Sequence, residues 1–255
     1  MENQSAGTAL DIVGDVHGCI DELLELLATL GYRMERGVVM PPEGRKLAFV
    51  GDLVNRGPKT AEVLWLVMSM VRAGEAFCVE GNHEERLLRS LRGNPGVLRA
   101  DVVRSVGELT AVGKKFRRAS EKFLAELPSH LVFDEGRLAI AHAGLKEPIE
   151  GLESAATRTF ELHGASSGKL DEFGQPVRVN WAADYRGKAL VVYGHTPVVE
   201  PVWLNNTVNI DTGCVYGGHL TALRYPERKT VRVRARAQYY PSRRGFPPNA
   251  GLVKA

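Results

Sequence analysis

Carboxylate, imidazole and amide side chains are concentrated in a few glycine-containing segments of the 255-residue chain. Each segment follows a short apolar run that is typical of a buried strand. Glycine lets the backbone turn sharply after such a strand, and ligands of α/β proteins bind at the carboxyl ends of strands. We therefore expect five segments to form one site: GDVHG at 14–18, GDLVNRGP at 51–58, GNHE at 81–84, HAG at 142–144 and GHTP at 194–197.

These segments supply the mixed oxygen and nitrogen donors that suit Mn²⁺, Fe or Zn²⁺. Two aspartates, one asparagine and three histidines are more ligands than a single catalytic ion requires. Because a carboxylate can bridge two ions, the set indicates a dinuclear site about 3.5–4 Å across. Such a pair of ions turns a bound water into a nucleophile and aligns the oxygens of a phosphoryl group.

Each motif alone has a simpler explanation. A lone Asp-x-His loop is more often a turn and a helix cap than a metal site, and a single histidine is more often a core residue. Five such loops in a consistent order along the chain are hard to explain as turns. The joint pattern therefore favours metal-dependent chemistry.

In the first half of the chain, sequence patterns typical of strands alternate with patterns typical of helices, and these elements must position the polar residues. Apolar runs at 9–13, 47–50 and 76–79 are each closed by a glycine and followed by apolar residues at helical spacing. This βαβαβ order predicts a sheet of parallel strands covered by helices. Residues 97–127 are predicted to be mostly helical, and the later strands are predicted at 131–133, 138–141, 190–193, 208–210 and 220–224.

We assign residues 1–226 to one catalytic domain, with the Gly-rich and charged segment 145–188 as an irregular substrate-loop excursion. Residues 227–255 are predicted to form a basic edge strand and tail. From Arg224 to the C-terminus there are nine Lys or Arg and one acid. Alternating arginines at 230–237 favour a strand with one solvated face. The alternative is a basic surface that attracts nucleic acid or a nucleotide.

The composition excludes several classes of protein. Hydrophobic residues make up 44% and charged residues 25%, which is typical of a globular protein and excludes a disordered chain or a small disulfide scaffold. No apolar stretch is long enough to span a bilayer, and the polar N-terminal segment does not resemble a secretory signal. The three widely spaced cysteines argue against a disulfide framework. We therefore expect a cytoplasmic protein with reduced thiols and no membrane partner.

As a set, the motifs GDVHG, GDLVNRGP, GNHE, HAG and YGHTP resemble those of the phosphoprotein phosphatase branch of the calcineurin-like metallophosphoesterases. The segments NTVNIDTGCVYGG at 206–218 and LTALRYP at 220–226 are similar to a bacterial subgroup of PrpE-type phosphatases, which hydrolyse diadenosine tetraphosphate. The phosphatase module of bacterial polynucleotide kinase-phosphatases belongs to the same subgroup, but this chain has no P-loop motif. The resemblance implies an α/β sandwich of two mixed β-sheets flanked by α-helices.

The resemblance also implies a role for each polar residue. It implies six metal ligands. Asp15 and His17 would bind one ion, Asp52 would bridge both ions, and the second ion would be bound by Asn82, His142 and His195. Arg56 would contact the phosphoryl oxygens, and His83 would protonate the leaving oxygen. Asp211 matches an acidic position of the subgroup. An arginine of the excursion often completes the phosphate clamp, and Arg158 and Arg186 are the candidates.

The chain departs from the family pattern at Asn55, where the common motif has an aspartate that supports the general-acid histidine. An amide can orient His83 but cannot stabilise its imidazolium as a carboxylate does. Weaker acid catalysis matters most for a serine alkoxide and less for tyrosine, whose pKa is about 10. It matters least for a nucleotide phosphate, whose second pKa is about 6. ApaH-like bacterial diadenosine tetraphosphatases resemble this motif, with Ala or Asn at that place, so phosphoanhydride substrates are favoured.

We therefore expect a dinuclear-metal phosphohydrolase that acts on diadenosine tetraphosphate or a related dinucleoside polyphosphate, and also on phosphoprotein. Mn²⁺ is the expected ion, with Fe, Zn²⁺, Co²⁺ and Ni²⁺ as alternatives. Three other functions remain open. They are a dedicated Ser/Thr/Tyr protein phosphatase, a polynucleotide end-phosphatase that uses the basic tail, and a non-catalytic metal-bound binding module, which the intact ligand set argues against.

Overall fold

The computed structural model describes residues 9–35, 38–94, 96–146, 155–242 and 245–246. Two five-stranded sheets lie face to face within these residues, and helices cover the outer face of the first sheet. Both sheets are mixed, as the family resemblance implies, because each combines parallel and antiparallel strand pairs. Strands and helices are numbered below in chain order.

The first sheet is built around β1 (Ala9–Val13), which pairs in parallel with β4 (Arg45–Phe49). Next to β4 lies β5 (Ala76–Cys78), also parallel. On the other side, β13 (His219–Tyr225) pairs with β1 in antiparallel orientation, and β14 (Lys229–Arg234) forms the edge. The predicted domain boundary at residue 226 thus lies in the turn between two paired strands. The three parallel strands deliver their carboxyl ends to one place.

The second sheet has the order β11 (Val202–Leu204), β12 (Thr207–Asn209), β10 (Leu190–Tyr193), β7 (Leu138–Ala141) and β6 (His130–Phe133). Its three central strands are parallel, and both edge strands are antiparallel to their neighbours. The carboxyl ends of β7 and β10 therefore lie side by side.

The core between the sheets is formed by alternate side chains of both. Ile12 and Val50 from the first sheet and Ile140 and Val192 from the second are fully buried in this cluster. A larger cluster lies between the first sheet and the helices. Those helices are α1 (Ile20–Leu30), α2 (Thr60–Arg72), α3 (Asn82–Leu91), α4 (Ala100–Val112) and α5 (Lys114–Ala125).

The predicted excursion is less irregular than the sequence indicates. It contains α6 (Ala155–His163) and a hairpin of β8 (Ser166–Leu170) and β9 (Pro176–Arg178), while residues 147–154 lie outside the described part. Every residue of β8 is exposed, so the strand lacks the alternating apolar pattern that identifies a half-buried strand. A second short hairpin, β2 (Arg33–Glu35) with β3 (Val38–Met40), was not predicted either, and within it β2 is fully exposed while β3 buries Val39.

Candidate metal centre

Asp52 follows β4, and its two carboxylate oxygens face two different histidines. Oδ2 lies 3.4 Å from Nε2 of His17, and Oδ1 lies 3.5 Å from Nε2 of His142. Oδ1 also accepts a 2.9 Å hydrogen bond from the backbone N–H of His83. Burial opposes ionisation of Asp52, but the two histidines and Arg56 hold its pKa below the usual value. A carboxylate between two histidines has the arrangement of a bridging metal ligand.

His142, at the end of β7, is the centre of one donor group. Its Nδ1 lies 3.0 Å from the carbonyl oxygen of Val50, which orients the ring. Its Nε2 lies 3.2 Å from Oδ1 of Asn82 and 2.9 Å from Nδ1 of His195. An Nδ1–H that donates to a backbone carbonyl leaves the Nε2 lone pair for a metal ion. Three donors from three separate loops thus converge beside Asp52.

His17, on the other side of Asp52, is oriented by the same kind of Nδ1 contact to a backbone carbonyl. Its Nδ1 lies 3.0 Å from the carbonyl oxygen of Val54, so that Nε2 points to the bridging carboxylate. Asp15, two residues earlier, accepts the backbone N–H of His195 at 3.3 and 3.2 Å. The end of β1 in the first sheet is therefore connected to the end of β10 in the second.

A cluster of buried carboxylates lies on this side of the site. Burial and the charges of Asp211 and Asp52 raise the pKa of Asp15 well above its usual value. Burial also raises the pKa of Asp211 to about 7, although its Oδ1 accepts a 3.0 Å hydrogen bond from the N–H of Gly213. Three buried acids this close are stable in their ionised form only beside compensating positive charge. A divalent cation would supply that charge.

Candidate donor atoms lie on two sides of Asp52, as two ions would require. On one side the ligand atoms of Asp52, His142 and His195 lie within 4.8 Å of one another. On the other side the group is His17, Asp52 and His83, of which His83 is not a predicted ligand, and the predicted ligand Asp15 lies outside this group. The nitrogen of His195 that faces this site is Nδ1, which lies 2.9 Å from Nε2 of His142. The donors are carboxylate, imidazole and amide oxygen, which suits Mn²⁺, Fe or Zn²⁺.

Unusual backbone conformations are concentrated in the loops of this site. Left-handed φ values between 46° and 72° occur at His17, Asp52, Asn55, Arg56 and His195. Side-chain-bearing residues adopt this region rarely, and such strain persists where the surrounding structure enforces it. One enforcing contact is the 2.8 Å hydrogen bond from the N–H of His17 to the carbonyl oxygen of Asp52. The fold thus holds these side chains in one arrangement.

Glu84 is a site residue that sequence reasoning missed. Its carboxylate is fully buried and accepts three backbone hydrogen bonds, from Asp52 at 2.7 Å, Leu53 at 2.8 Å and Gly81 at 2.9 Å. Burial and the charge of Asp52 raise its pKa to about 8, against the effect of these donors. An acid at the third position of a helix is explained by capping alone. The sequence therefore gives no signal for the contacts that connect it to the loop after β4.

His83 and Arg56 both contact His17. The His83 ring packs edge-on against His17, with centroids 4.8 Å apart, and its ring nitrogens lie 3.3 Å from Nδ2 of Asn55 and 3.2 Å from Nη1 of Arg86. Burial, and then the charge of Arg56, lower the pKa of His83 well below its usual value. Nη1 of Arg56 lies 2.9 Å from Nε2 of His17. The guanidinium is therefore next to the candidate ligands.

The two arginines that the sequence nominated for the phosphate clamp have other contacts. Arg158 forms an ion pair with Glu80, and Arg186 donates 2.8 Å hydrogen bonds to two carbonyl oxygens of its own turn. Arg178 of β9, which sequence reasoning did not single out, lines a small cavity of about 30 Å³ together with His195. Burial and a neighbouring histidine lower the pKa of His195, and the charge of Arg178 lowers it further. Arg178 also donates a hydrogen bond to the carbonyl oxygen of His163, and its charge adds to burial in lowering the pKa of both His142 and His195.

Comparison with known proteins agrees with this geometry. Residues 9–199 match the calcineurin-like phosphoesterase family. The chain belongs to this family. It is accordingly a metal-dependent phosphoesterase, and the family predicted from the motifs is confirmed.

Two curated relatives are named bis(5'-nucleosyl)-tetraphosphatase PrpE, with the qualifier asymmetrical. The protein of Anoxybacillus flavithermus is 46% identical over 233 residues, which cover 90% of this chain and 95% of the relative. The protein of Bacillus subtilis is 42% identical over 239 residues, with 92% and 98% of the two chains covered. The similarity therefore extends over nearly the whole length of both relatives.

Solved structures confirm the predicted fold. A structure assigned as a diadenosine tetraphosphatase aligns with a TM-score of 0.65 at 25% identity, covering 91% of this chain and 96% of the other. A cold-active protein tyrosine phosphatase aligns with a TM-score of 0.56 at 17% identity, covering 94% and 82%. The second likeness extends to the fold alone. Across the described residues, no helix combines the length and the apolar character that crossing a membrane requires.

Proposed function

We propose that this phosphoesterase hydrolyses dinucleoside polyphosphates, with diadenosine tetraphosphate as the preferred substrate. The observation that carries the proposal is the position of Asp52, whose carboxylate oxygens face His17 on one side and His142 on the other. Two ions bridged by such a carboxylate suit in-line displacement at a phosphoryl group. The printed names of relatives at 46% and 42% identity support a dinucleotide substrate.

The proposed metal ligands are the six residues that the motifs nominate. Bound ions would lower the pKa of a water molecule and stabilise charge on the phosphoryl oxygens. Mn²⁺ is the proposed ion, because the set combines oxygen and imidazole donors without a thiolate. Asp15 and His17 would hold one ion, Asp52 would hold both, and the second would be held by Asn82, His142 and His195.

Two arginines are proposed to bind the phosphate chain. Arg56 would hold the reacting phosphoryl group, because the guanidinium fork matches two phosphoryl oxygens and its Nη1 lies 2.9 Å from Nε2 of His17. Arg178 would contact a phosphate on the side of His195, with which it shares a cavity. Asp211 would lie beside Asp15 at the first ion, since its charge acts on the Asp15 carboxylate and, in addition to burial, raises the pKa of Asp15.

His83 is proposed to lie at the leaving-group oxygen, oriented by the side-chain amide of Asn55 at 3.3 Å. A neutral amide does not stabilise an imidazolium as a carboxylate does. The arrangement therefore favours leaving groups that need little protonation, such as the phosphate of a nucleotide with a pKa of about 6. This chemistry supports a phosphoanhydride over a phosphoserine substrate.

The proposal is tested by turnover with Mn²⁺ on diadenosine tetraphosphate, a phosphotyrosine peptide and a phosphoserine peptide, side by side. We expect the dinucleotide to lead in kcat/KM by at least about tenfold, equal to roughly 1.4 kcal/mol of transition-state preference. ATP and AMP are the expected products, because the named relatives are asymmetrical. A lead for the phosphoserine peptide would instead identify a dedicated protein phosphatase. Bound metal without turnover on any phosphate ester would identify a binding module.

The remaining proposals concern location and nucleic acid. A cytoplasmic location is supported by the three cysteines, which are all buried free thiols.

Nucleic-acid binding through the basic tail stays a prediction without further support, because several of its arginines pair with acidic residues of the catalytic domain. Arg224 pairs with Asp11, Arg232 with Glu200, and Arg236 with Glu25.

A further inference from the structure

The chain after β14 returns to the catalytic side of the protein. We call residues 235–242 and 245–246 the C-terminal strap. The N–H of Ala235 donates to the carbonyl oxygen of Gly218 at 2.8 Å, and the N–H groups of Tyr239 and Tyr240 both donate to the carbonyl oxygen of Val215 at 3.0 Å. The strap therefore runs along the turn that follows Asp211.

Two further contacts fasten the strap. The buried carboxylate of Glu22, in α1, accepts the backbone N–H of Arg236 at 2.8 Å and the hydroxyl of Tyr239 at 2.7 Å through Oε1. At the other end, the Phe246 ring occupies the space beside Gly213, where a Cβ atom would lie 2.4 Å from it. A strap held at both ends has little freedom to leave the turn.

The strap reaches Arg56 through an aromatic ring. The guanidinium carbon of Arg56 lies 6.0 Å from the ring centre of Tyr240 and 5.5 Å from that of Tyr216. Phe246 stacks on Tyr216 at 6.2 Å with an interplanar angle of 26°. Among the described residues, the buried Nε of Arg56 has no hydrogen-bond partner. The two rings are therefore the main contacts that fix the direction of the guanidinium, apart from His17.

We propose that the C-terminal strap acts on the catalytic site through Tyr240, which is a positioning residue for Arg56. Cation–π attraction from Tyr240 and Tyr216 holds the guanidinium beside His17, where it faces the reacting phosphoryl group. The inference rests on the proposed role of Arg56 in phosphate binding. It assigns the tail a function in the chemistry of this chain, independent of nucleic acid.

The test uses inorganic phosphate as the probe, measured as the inhibition constant against hydrolysis of p-nitrophenyl phosphate by the full-length, Mn²⁺-loaded protein. Tyr240→Leu should raise the inhibition constant and lower kcat/KM, each by about tenfold. Tyr240→Phe, which keeps the ring, should stay within twofold of wild type. The Mn²⁺ affinity should not change in either variant, because Tyr240 is not among the proposed ligands.

A double-mutant cycle separates positioning from a general loss of structure. In an Arg56→Ala background, Tyr240→Leu should have no further effect on the inhibition constant, because its only route to phosphate is through Arg56. An unchanged constant in Tyr240→Leu alone, or an equal effect in both backgrounds, would overturn the inference. If Arg56→Ala itself leaves phosphate inhibition unchanged, the proposed role of Arg56 is wrong and the inference is overturned with it.

Tyr239→Phe is the matched control on the same strap. It removes the hydroxyl that Glu22 accepts and should lower Tm, while phosphate inhibition stays within twofold. A large rise in the inhibition constant of Tyr239→Phe would show that any loosening of the strap has the same effect, contradicting a specific role of Tyr240. If Tyr240→Leu does not fold, Tyr240→Met removes the ring at similar volume and replaces it in the cycle.

Discussion

The side-chain amide of Asn55 contacts His83 at two points, 3.3 Å from ring Nδ1 and 3.1 Å from the carbonyl oxygen. Both residues are fully buried, and Asn55 has a left-handed φ of 66°. The amide is therefore held firmly against the histidine that we place at the leaving group. Because the amide is uncharged, it does not stabilise the imidazolium form of His83, and the site therefore favours substrates whose leaving group needs little protonation.

Asn55→Asp should raise kcat/KM for a phosphoserine peptide relative to diadenosine tetraphosphate, by about tenfold in the ratio. A carboxylate next to His83 would favour its imidazolium form, which helps a leaving alkoxide more than a leaving nucleotide. Steady-state kinetics on both substrates measures the ratio. Asn55→Ala is the control, because it removes the amide without adding charge and should not raise the phosphoserine rate. An unchanged ratio in Asn55→Asp would refute the leaving-group argument.

Glu84→Gln should weaken Mn²⁺ binding by about tenfold to a hundredfold, although Glu84 is not a proposed ligand. In the wild type, the two carboxylate oxygens of Glu84 accept hydrogen bonds from the N–H groups of Asp52, Leu53 and Gly81. Glutamine replaces one of these oxygens by an NH₂ group, which cannot accept them. Leaving one such donor unpaired should also cost about 1–3 kcal/mol of unfolding free energy. Mn²⁺ titration and denaturant unfolding measure the two effects. Wild-type metal affinity in a folded variant would contradict a positioning role for Glu84.

Arg178→Met should lower kcat/KM for diadenosine tetraphosphate by about tenfold, because a charged contact to phosphate contributes roughly 1.5–3 kcal/mol. Arg186→Met is the matched control from the same segment, since Arg186 is not among the described residues that line the cavity with His195 and Arg178. It should stay within twofold of wild type. Equal losses in the two variants would mean that the position of Arg178 beside His195 has no special role.

Gly194→Ala should prevent binding of the metal ion that Asp15 and His17 are proposed to hold. A Cβ atom at Gly194 would lie 2.0 Å from Oδ1 of Asp15, so the carboxylate would have to move. We expect a loss of about 1–3 kcal/mol of stability from this overpacking. Gly107→Ala in α4 is the control, because apart from its chain neighbours and the backbone of its own helix no described atom would lie within 4 Å of the new Cβ, and it should stabilise the helix by roughly 0.5–1 kcal/mol. Unimpaired metal binding in Gly194→Ala would contradict the crowded geometry.

The strand-end loops could be predicted because their signals are local. A short apolar run followed by a glycine and a polar residue identifies the end of β1, β4, β5 and β10, and after β7 the polar His142 comes before the glycine. The helix that begins at Ile20 ends at Leu30, followed by Gly31 with a φ of 94°, as its periodicity and the glycine predict. Their convergence follows from the parallel order of the strands.

The parts that sequence reasoning missed depend on contacts between distant segments. Glu84 has an ordinary helix-start position, and its partners Asp52 and Leu53 lie 32 and 31 residues away. Tyr240 is one aromatic residue in a basic tail, and only the fold brings it to Arg56. The exposed hairpin of β8 and β9 has no apolar alternation to identify it. Each of these features is set by tertiary structure rather than by local propensity.

The most direct test of the central claim compares wild type with Asp52→Asn. The number of bound Mn²⁺ ions per chain and the turnover of diadenosine tetraphosphate are measured on the same samples. If Asp52 bridges two catalytic ions, wild type binds two and forms ATP and AMP, while the variant binds fewer and loses turnover by at least about a thousandfold. Near-wild-type turnover in Asp52→Asn, or undiminished turnover of the wild type after removal of its metal by a chelator, would contradict the account.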